Sequence, residues 1–237
     1  MVTMRVPDRR SIVGSWRSGE PVVVWGIIVV CSVVWLVQTG LRILAPDLYS
    51  SLMMSTMFVP ALVPAYPWSW LTSMFLHAPS ILHVLFNMLT LWVVGPYLER
   101  ALGHIPFLVM YLVSGLGGSV GILAWARITG QWMTASYGAS GAIFGLFSAV
   151  LVAYHAMGED IRSLVVWIAI NLAIPFVVSN VAWQAHVGGL VAGAVLAWLM
   201  VSGVRSLRGR GVGTRMAVYG GALSLVLVAA GVFLIVA

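Results

Sequence analysis

Four side chains stand out as groups able to do acyl-transfer chemistry: Ser140, His186, His83 and Asn87. A serine hydroxyl attacks a carbonyl only once a base takes its proton, and neutral imidazole is the usual base. Ser140 stands in Tyr137-Gly138-Ala139-Ser140-Gly141-Ala142-Ile143-Phe144-Gly145, at the expected start of a helix. The N–H groups of a first helical turn have no intrahelical acceptor and favour negative charge. An oxyanion needs such donors. His186 stands in Gln184-Ala185-His186-Val187-Gly188-Gly189-Leu190. His83 and Asn87 are four apart and share one helix face, where a ring N–H or an amide N–H could also hold an oxyanion.

Each residue also has a plainer reading. Gly141 and Gly145 form a GxxxG packing motif, and serine is common in such seams. A lone helical histidine often bonds a carbonyl. His83 and Asn87 could make an interhelical hydrogen bond worth about 0.6–2 kcal/mol. Gly189 and Gly193 would let the His186 helix press against the Ser140 helix, which is also what a Ser–His pair requires. Packing and catalysis are therefore compatible. The serine motif is not a GxSxG elbow, since the second glycine comes one residue early and no strand precedes it. His77 could pair with His83 on a metal, but there is no HExxH and no convincing third ligand.

The elements that must position these groups are transmembrane. Of 237 residues, 61% are hydrophobic and only 8% are charged, against roughly 25% charged in soluble domains. That excludes a cytosolic enzyme, an ordinary nucleic-acid binder and a disordered chain. Apolar runs at 22–43, 81–98, 104–126, 139–157, 161–179, 185–203 and 215–237 predict seven spanning helices, each long enough for a core of about 30 Å. All 12 basic residues are arginine. With the N-terminus inside, only Arg42 and Arg127 fall outside, so topology explains the net charge of +6 without nucleic acid. The second, fourth and sixth spans then run inward and carry His83, Ser140 and His186 at one level near the outer face. The lone Cys31 cannot form an internal disulfide.

The divisions expected are a basic cytoplasmic tail (1–20), a six-helix core (21–203), an Arg-rich loop (204–214) and an additional C-terminal span (215–237). Within the core, 44–80 is rich in proline and tryptophan and reads as a structured external loop lying partly in the membrane. No acidic residue is placed to complete a triad. Asp8, Glu20, Glu99, Glu159 and Asp160 fall inside or at the inner boundary, and Asp47 lies in the long loop. A serine hydrolase here would use a Ser–His dyad.

Taken in order, several segments resemble the rhomboid family of intramembrane serine proteases. They are Phe75-Leu76-His77-Ala78, His83-Val84-Leu85-Phe86-Asn87-Met88, Gly95-Pro96-Tyr97-Leu98-Glu99-Arg100, Gly138 to Gly145, Ile170-Asn171-Leu172 and Ala185 to Leu190. The likeness covers about residues 65–200. It implies an all-α polytopic membrane protein: a rhomboid-like six-helix bundle plus one C-terminal transmembrane helix. It implies Ser140 as nucleophile, His186 as general base then acid, and His83, Asn87 and the Ser140 N–H as the oxyanion hole. The implied substrates are transmembrane segments of other proteins, cut near the outer leaflet, with no metal or cofactor. The expected setting is the lipid bilayer of a bacterial plasma membrane.

Two positions depart from the family pattern. Trp70 is followed by Leu71 where many members have arginine, which bears on how the loop is anchored. Phe144 stands where many have tyrosine packed on the histidine. Two rival functions remain: a non-proteolytic relative that binds membrane clients, and a small transporter. Retention of both Ser140 and His186 speaks against the first; the lack of mid-span charges and of an internal repeat speaks against the second.

Overall fold

A chain this apolar must satisfy its backbone polar groups internally, and helices do so within one segment. The computed structural model describes residue 16 and residues 19–174 and 181–236. Nine helices run through them: α1 (Val22–Leu44), α2 (Pro46–Thr56), α3 (Ser69–Thr72), α4 (Ile81–Leu102), α5 (His104–Thr129), α6 (Ser140–Met157), α7 (Arg162–Ala173), α8 (Trp183–Ser202) and α9 (Val212–Val236). Six of them, α1, α4, α5, α6, α8 and α9, are long and apolar enough to cross a membrane. The molecule is a multi-pass integral membrane protein.

The expected span at 161–179 is represented by α7, whose 12 residues reach only about 18 Å. Residues 175–180 lie outside the described residues, as do Arg5, Asp8, Arg9, Arg10 and Arg17 of the basic tail. Helix α9 starts before its apolar run, so Arg215 sits in its first turn rather than in the preceding loop.

The centre is a three-helix packing of α5, α6 and α8, built on absent side chains. A Cβ added to Gly189 would stand 1.9 Å from the Gly141 carbonyl oxygen, and one on Gly193 would stand 2.2 Å from that of Gly145. On the other side of α8, a Cβ on Gly188 would stand 2.2 Å from the Gly117 oxygen, and one on Gly121 2.4 Å from that of Gln184. Helix association in lipid depends on such close backbone approach, because apolar side chains gain little by leaving lipid tails. Tyr111, Leu123, Leu146 and Leu196 fill the space around these seams and are wholly buried.

The 45–80 connection is mostly structured, with α2, α3 and two 3-10 turns at Pro60–Leu62 and Ser73–Phe75. Among the described residues no arginine hydrogen-bonds to it. Phe58 pairs with Ser136 in an isolated antiparallel bridge, and Ala61 N–H donates to the Trp132 carbonyl. Thr72 Oγ1 donates to Thr56 O, and Trp68 Nε1 to Ser55 O. Trp70 stands edge-on to Phe58 and lies against α9, where a Cβ on Gly231 would come within 2.0 Å of its ring. The last helix therefore packs on both α5 and this connection.

At the end of the bundle away from Ser140, the Glu99 carboxylate is buried. It accepts N–H bonds from Val23 (2.9 Å) and Val24 (2.8 Å) at the start of α1. It also pairs with His104 Nδ1. One side chain thus joins the starts of α1 and α5 to the end of α4. Replacing Glu99 by alanine leaves the Val23 and Val24 N–H groups without their acceptor and His104 with only its bond to the Trp16 carbonyl. Glu99→Ala is expected to lower unfolding free energy in detergent by about 3–5 kcal/mol, with Glu99→Gln losing less, as read by denaturant titration.

Candidate active site

Ser140 is the first residue of α6, and the preceding Gly138 has a backbone φ of +132°. Glycine suits that conformation. A Cβ there would also crowd the His83 ring, standing 3.1 Å from Cε1 and 3.2 Å from Nε2, with Ser140 Oγ at an ordinary 3.8 Å. Gly138 N–H donates to Ser73 O at 2.9 Å, tying the approach to α6 to the long connection. The backbone at Gly138 therefore brings the tip of the His83 ring and the Ser140 hydroxyl to one spot.

His186 lies in the first turn of α8 and is 6% exposed. Its Nε2 is 2.9 Å from Ser140 Oγ. With Nε2 facing a hydroxyl that must give up its proton, the neutral ring carries its hydrogen on Nδ1. That Nδ1 is buried, and no described residue bonds to it, carboxylates included. The ring is fixed by stacking instead. Phe144 lies one turn along α6, with its ring centroid 4.4 Å from that of His186 and the planes 18° apart. Phe144 in turn meets Phe147 edge-on, and Phe147 packs on Trp167 of α7. The missing tyrosine hydroxyl costs this stack nothing.

His83 is held differently. Its Nδ1 accepts the Ala78 N–H at 2.9 Å. A ring nitrogen that accepts carries no hydrogen, so Nε2 is the N–H donor, and the Cε1–Nε2 edge of the ring faces the Gly138 backbone. The Asn87 amide, almost fully buried, turns back on its own helix. Its Nδ2 donates to the His83 carbonyl at 2.7 Å, which leaves its second N–H for another acceptor, and Oδ1 has no partner among the described residues. Three of the four residues singled out thus meet around Ser140, and Asn87 stands one turn behind His83. His77 is buried with its ring 5.3 Å from that of His83. Burial, with His83 nearby, lowers its pKa to about 4. His104 is engaged with Glu99 at the far end, and His155 closes α6 there.

The serine–histidine distance, the half-buried hydroxyl at a helix start and a donor histidine alongside form an arrangement able to make and stabilise an acyl-enzyme. Because the Phe144 stack and the bond to Ser140 orient His186, with no described group on Nδ1, removing the Phe144 ring should loosen the pair. An aromatic contact is worth about 0.5–1.5 kcal/mol. Phe144→Ala should slow labelling of Ser140 by a serine-directed fluorophosphonate roughly two- to tenfold, whereas Phe144→Tyr should label at the original rate.

Comparison with known proteins bears on the same stretch. A family model described as the Rhomboid domain matches residues 64–203, which includes all four residues above. The chain is 40% identical over 131 residues to rhomboid protease GluP of Bacillus subtilis, covering 53% of this chain and 24% of that protein. It is 35% identical over 141 residues to RHOMBOID-like protein 4 of Arabidopsis thaliana, covering 56% and 34%. For RHOMBOID-like protein 2 of the same plant the identity is 37% over 141 residues, covering 56% and 42%. The matched stretch spans less than half the length of each of these relatives. Since the family model takes in well over half of this chain, and every segment that positions Ser140 and His186 among the described residues from α3 to α8 lies inside it, the chain belongs to the rhomboid family.

Proposed function

We propose that this protein is an intramembrane serine endopeptidase that cleaves transmembrane segments of other membrane proteins with a Ser140–His186 dyad. The observation that carries the reading is the 2.9 Å contact between Ser140 Oγ and His186 Nε2, made between two helices inside a membrane bundle. Ser140 Oγ attacks a peptide carbonyl while its proton passes to His186 Nε2. The carbonyl oxygen becomes an oxyanion, met by His83 Nε2–H, the Asn87 amide and the free N–H groups at the start of α6. His186 then returns the proton to the leaving amine, and the C–N bond breaks. Water, deprotonated by the same imidazole, hydrolyses the ester and frees Ser140.

In this reading no carboxylate supports the imidazolium. The face of Phe144 lies against it and offers the attraction of a ring quadrupole for a cation. Arginines support cleavage near the outer leaflet. Of the described arginines, Arg100, Arg162, Arg205, Arg208, Arg210 and Arg215 cluster at the bundle end away from Ser140, and Arg42 and Arg127 stand at the Ser140 end. The GluP match gives the protease reading its nearest named precedent among the relatives described above.

The test uses the purified protein in liposomes with a transmembrane substrate. Ser140→Ala and His186→Ala should each abolish cleavage and fluorophosphonate labelling. His83→Ala and Asn87→Ala should lower kcat by about 10- to 1000-fold while leaving the fold intact. Substantial turnover by Ser140→Ala would falsify the assignment.

A further inference from the structure

The donor face of His83 depends on a peptide unit, and that peptide unit is gripped by a helix with no residue in the dyad. Gln38, in the middle of α1, is 3% exposed. Its side-chain amide pairs with the backbone of His77 in both directions. His77 N–H donates to Gln38 Oε1 at 3.2 Å, and Gln38 Nε2 donates to His77 O at 3.3 Å. One turn earlier on α1, Trp35 Nε1 donates to Ala78 O at 3.0 Å. The peptide joining His77 to Ala78 is planar, so fixing its carbonyl oxygen fixes the direction of its N–H. That N–H is the one donated to His83 Nδ1.

We propose that Gln38, assisted by Trp35, is a positioning residue for the reaction: through the His77–Ala78 peptide it holds His83 in the tautomer that presents Nε2–H to the oxyanion. The inference rests on the protease reading above. The physical logic is that of any donor aimed at developing charge. A neutral imidazole has one N–H, and it serves the oxyanion only when the other nitrogen is occupied by a donor. Ala78 N–H is that donor. Without Gln38, the His77–Ala78 peptide keeps only the neighbouring Trp35–Ala78 O bond and can turn, so His83 can carry its hydrogen on Nδ1 and Nε2 then faces the oxyanion as a lone pair. The penalty falls on the transition state, where the charge exists, rather than on substrate binding. Gln38 touches neither Ser140 nor His186, so the effect is separable from the dyad.

The experiment compares wild type, Gln38→Leu and Trp35→Phe, each with its active sites titrated by fluorophosphonate so that rates refer to reactive protein. Nitrogen-15 NMR of histidine-labelled protein reads the His83 tautomer, assigned by its loss in His83→Ala. In Gln38→Leu the wild-type Nε2–H signature of His83 should give way to a mixture. Its kcat per titrated site should fall on the order of tenfold to a hundredfold at unchanged KM. Trp35→Phe keeps the ring, loses one bond, and should show a smaller change of the same kind; it decides the matter if Gln38→Leu does not fold. An unchanged His83 tautomer, or an unchanged kcat per titrated site, overturns the proposal. Failure of wild type to label at Ser140 would sink the protease reading instead, and the tautomer comparison would still decide whether Gln38 governs His83.

Discussion

The backbone contact between α6 and α8 is the constraint on which the rest depends. Ser140 and His186 lie on different helices, and a 2.9 Å contact between them requires the helix axes to approach much more closely than ordinary side chains allow. Gly141, Gly145, Gly189 and Gly193 remove the obstruction, leaving carbonyl oxygens where methyl groups would stand. In water a close helix pair could be held by expelling solvent. In lipid that drive is missing, and dispersion between tightly apposed backbones has to serve. The glycines that read as a packing motif and the serine that reads as a nucleophile are therefore one device. Any side chain in the seam moves Ser140 away from His186 before it does anything else.

Two buried polar side chains, Gln38 and Glu99, bond to distant parts of the chain, and α1 is a partner in both cases. It is among the least buried of the spans, yet it is tied at both ends. Near its start, Val23 and Val24 give their N–H groups to Glu99. Further along, Trp35 and Gln38 bond the His77–Ala78 backbone. A bond between separated segments is worth more to an apolar bundle than its net energy suggests, because water is absent to replace it. Helix α1 acts as a brace spanning the bundle, and its attachments set where α4 begins and where the long connection ends.

Much of this was legible in the sequence because it follows from composition and spacing. Runs of about 20 apolar residues in lipid have few alternatives to helix, and His83, Ser140 and His186 fall in the first turns of α4, α6 and α8. The rest depends on contacts that no local pattern encodes. Glu99 reads as a boundary charge, and only the fold shows its oxygens against α1. Gly117 and Gly121 are two of 25 glycines and stand out only when α8 is seen against them. Leu71 in place of arginine suggested a poorly anchored connection. Backbone bonds to 132–136 and the Trp70–Gly231 contact supply anchors that sequence adjacency does not announce. The 161–179 run has the composition of a span, but α7 as described stops at Ala173.

The unpartnered Nδ1 of His186 has a physical rationale under the proposed chemistry. A carboxylate as third member would orient the ring and stabilise the imidazolium, as it does in triads. Buried in a membrane bundle, however, it would have to remain ionised throughout the catalytic cycle, including the long interval when His186 is neutral. Desolvating an unpaired carboxylate costs several kcal/mol even after relaxation. Phe144 provides orientation without that standing charge, since a ring face attracts a cation yet demands no solvation when the cation is absent. Under that chemistry the donors that meet the oxyanion carry stabilisation that a triad would share with its carboxylate. Those donors stand at the start of α6 and on His83, so the bond that holds His83 in its donor form belongs to the same proposal as the dyad.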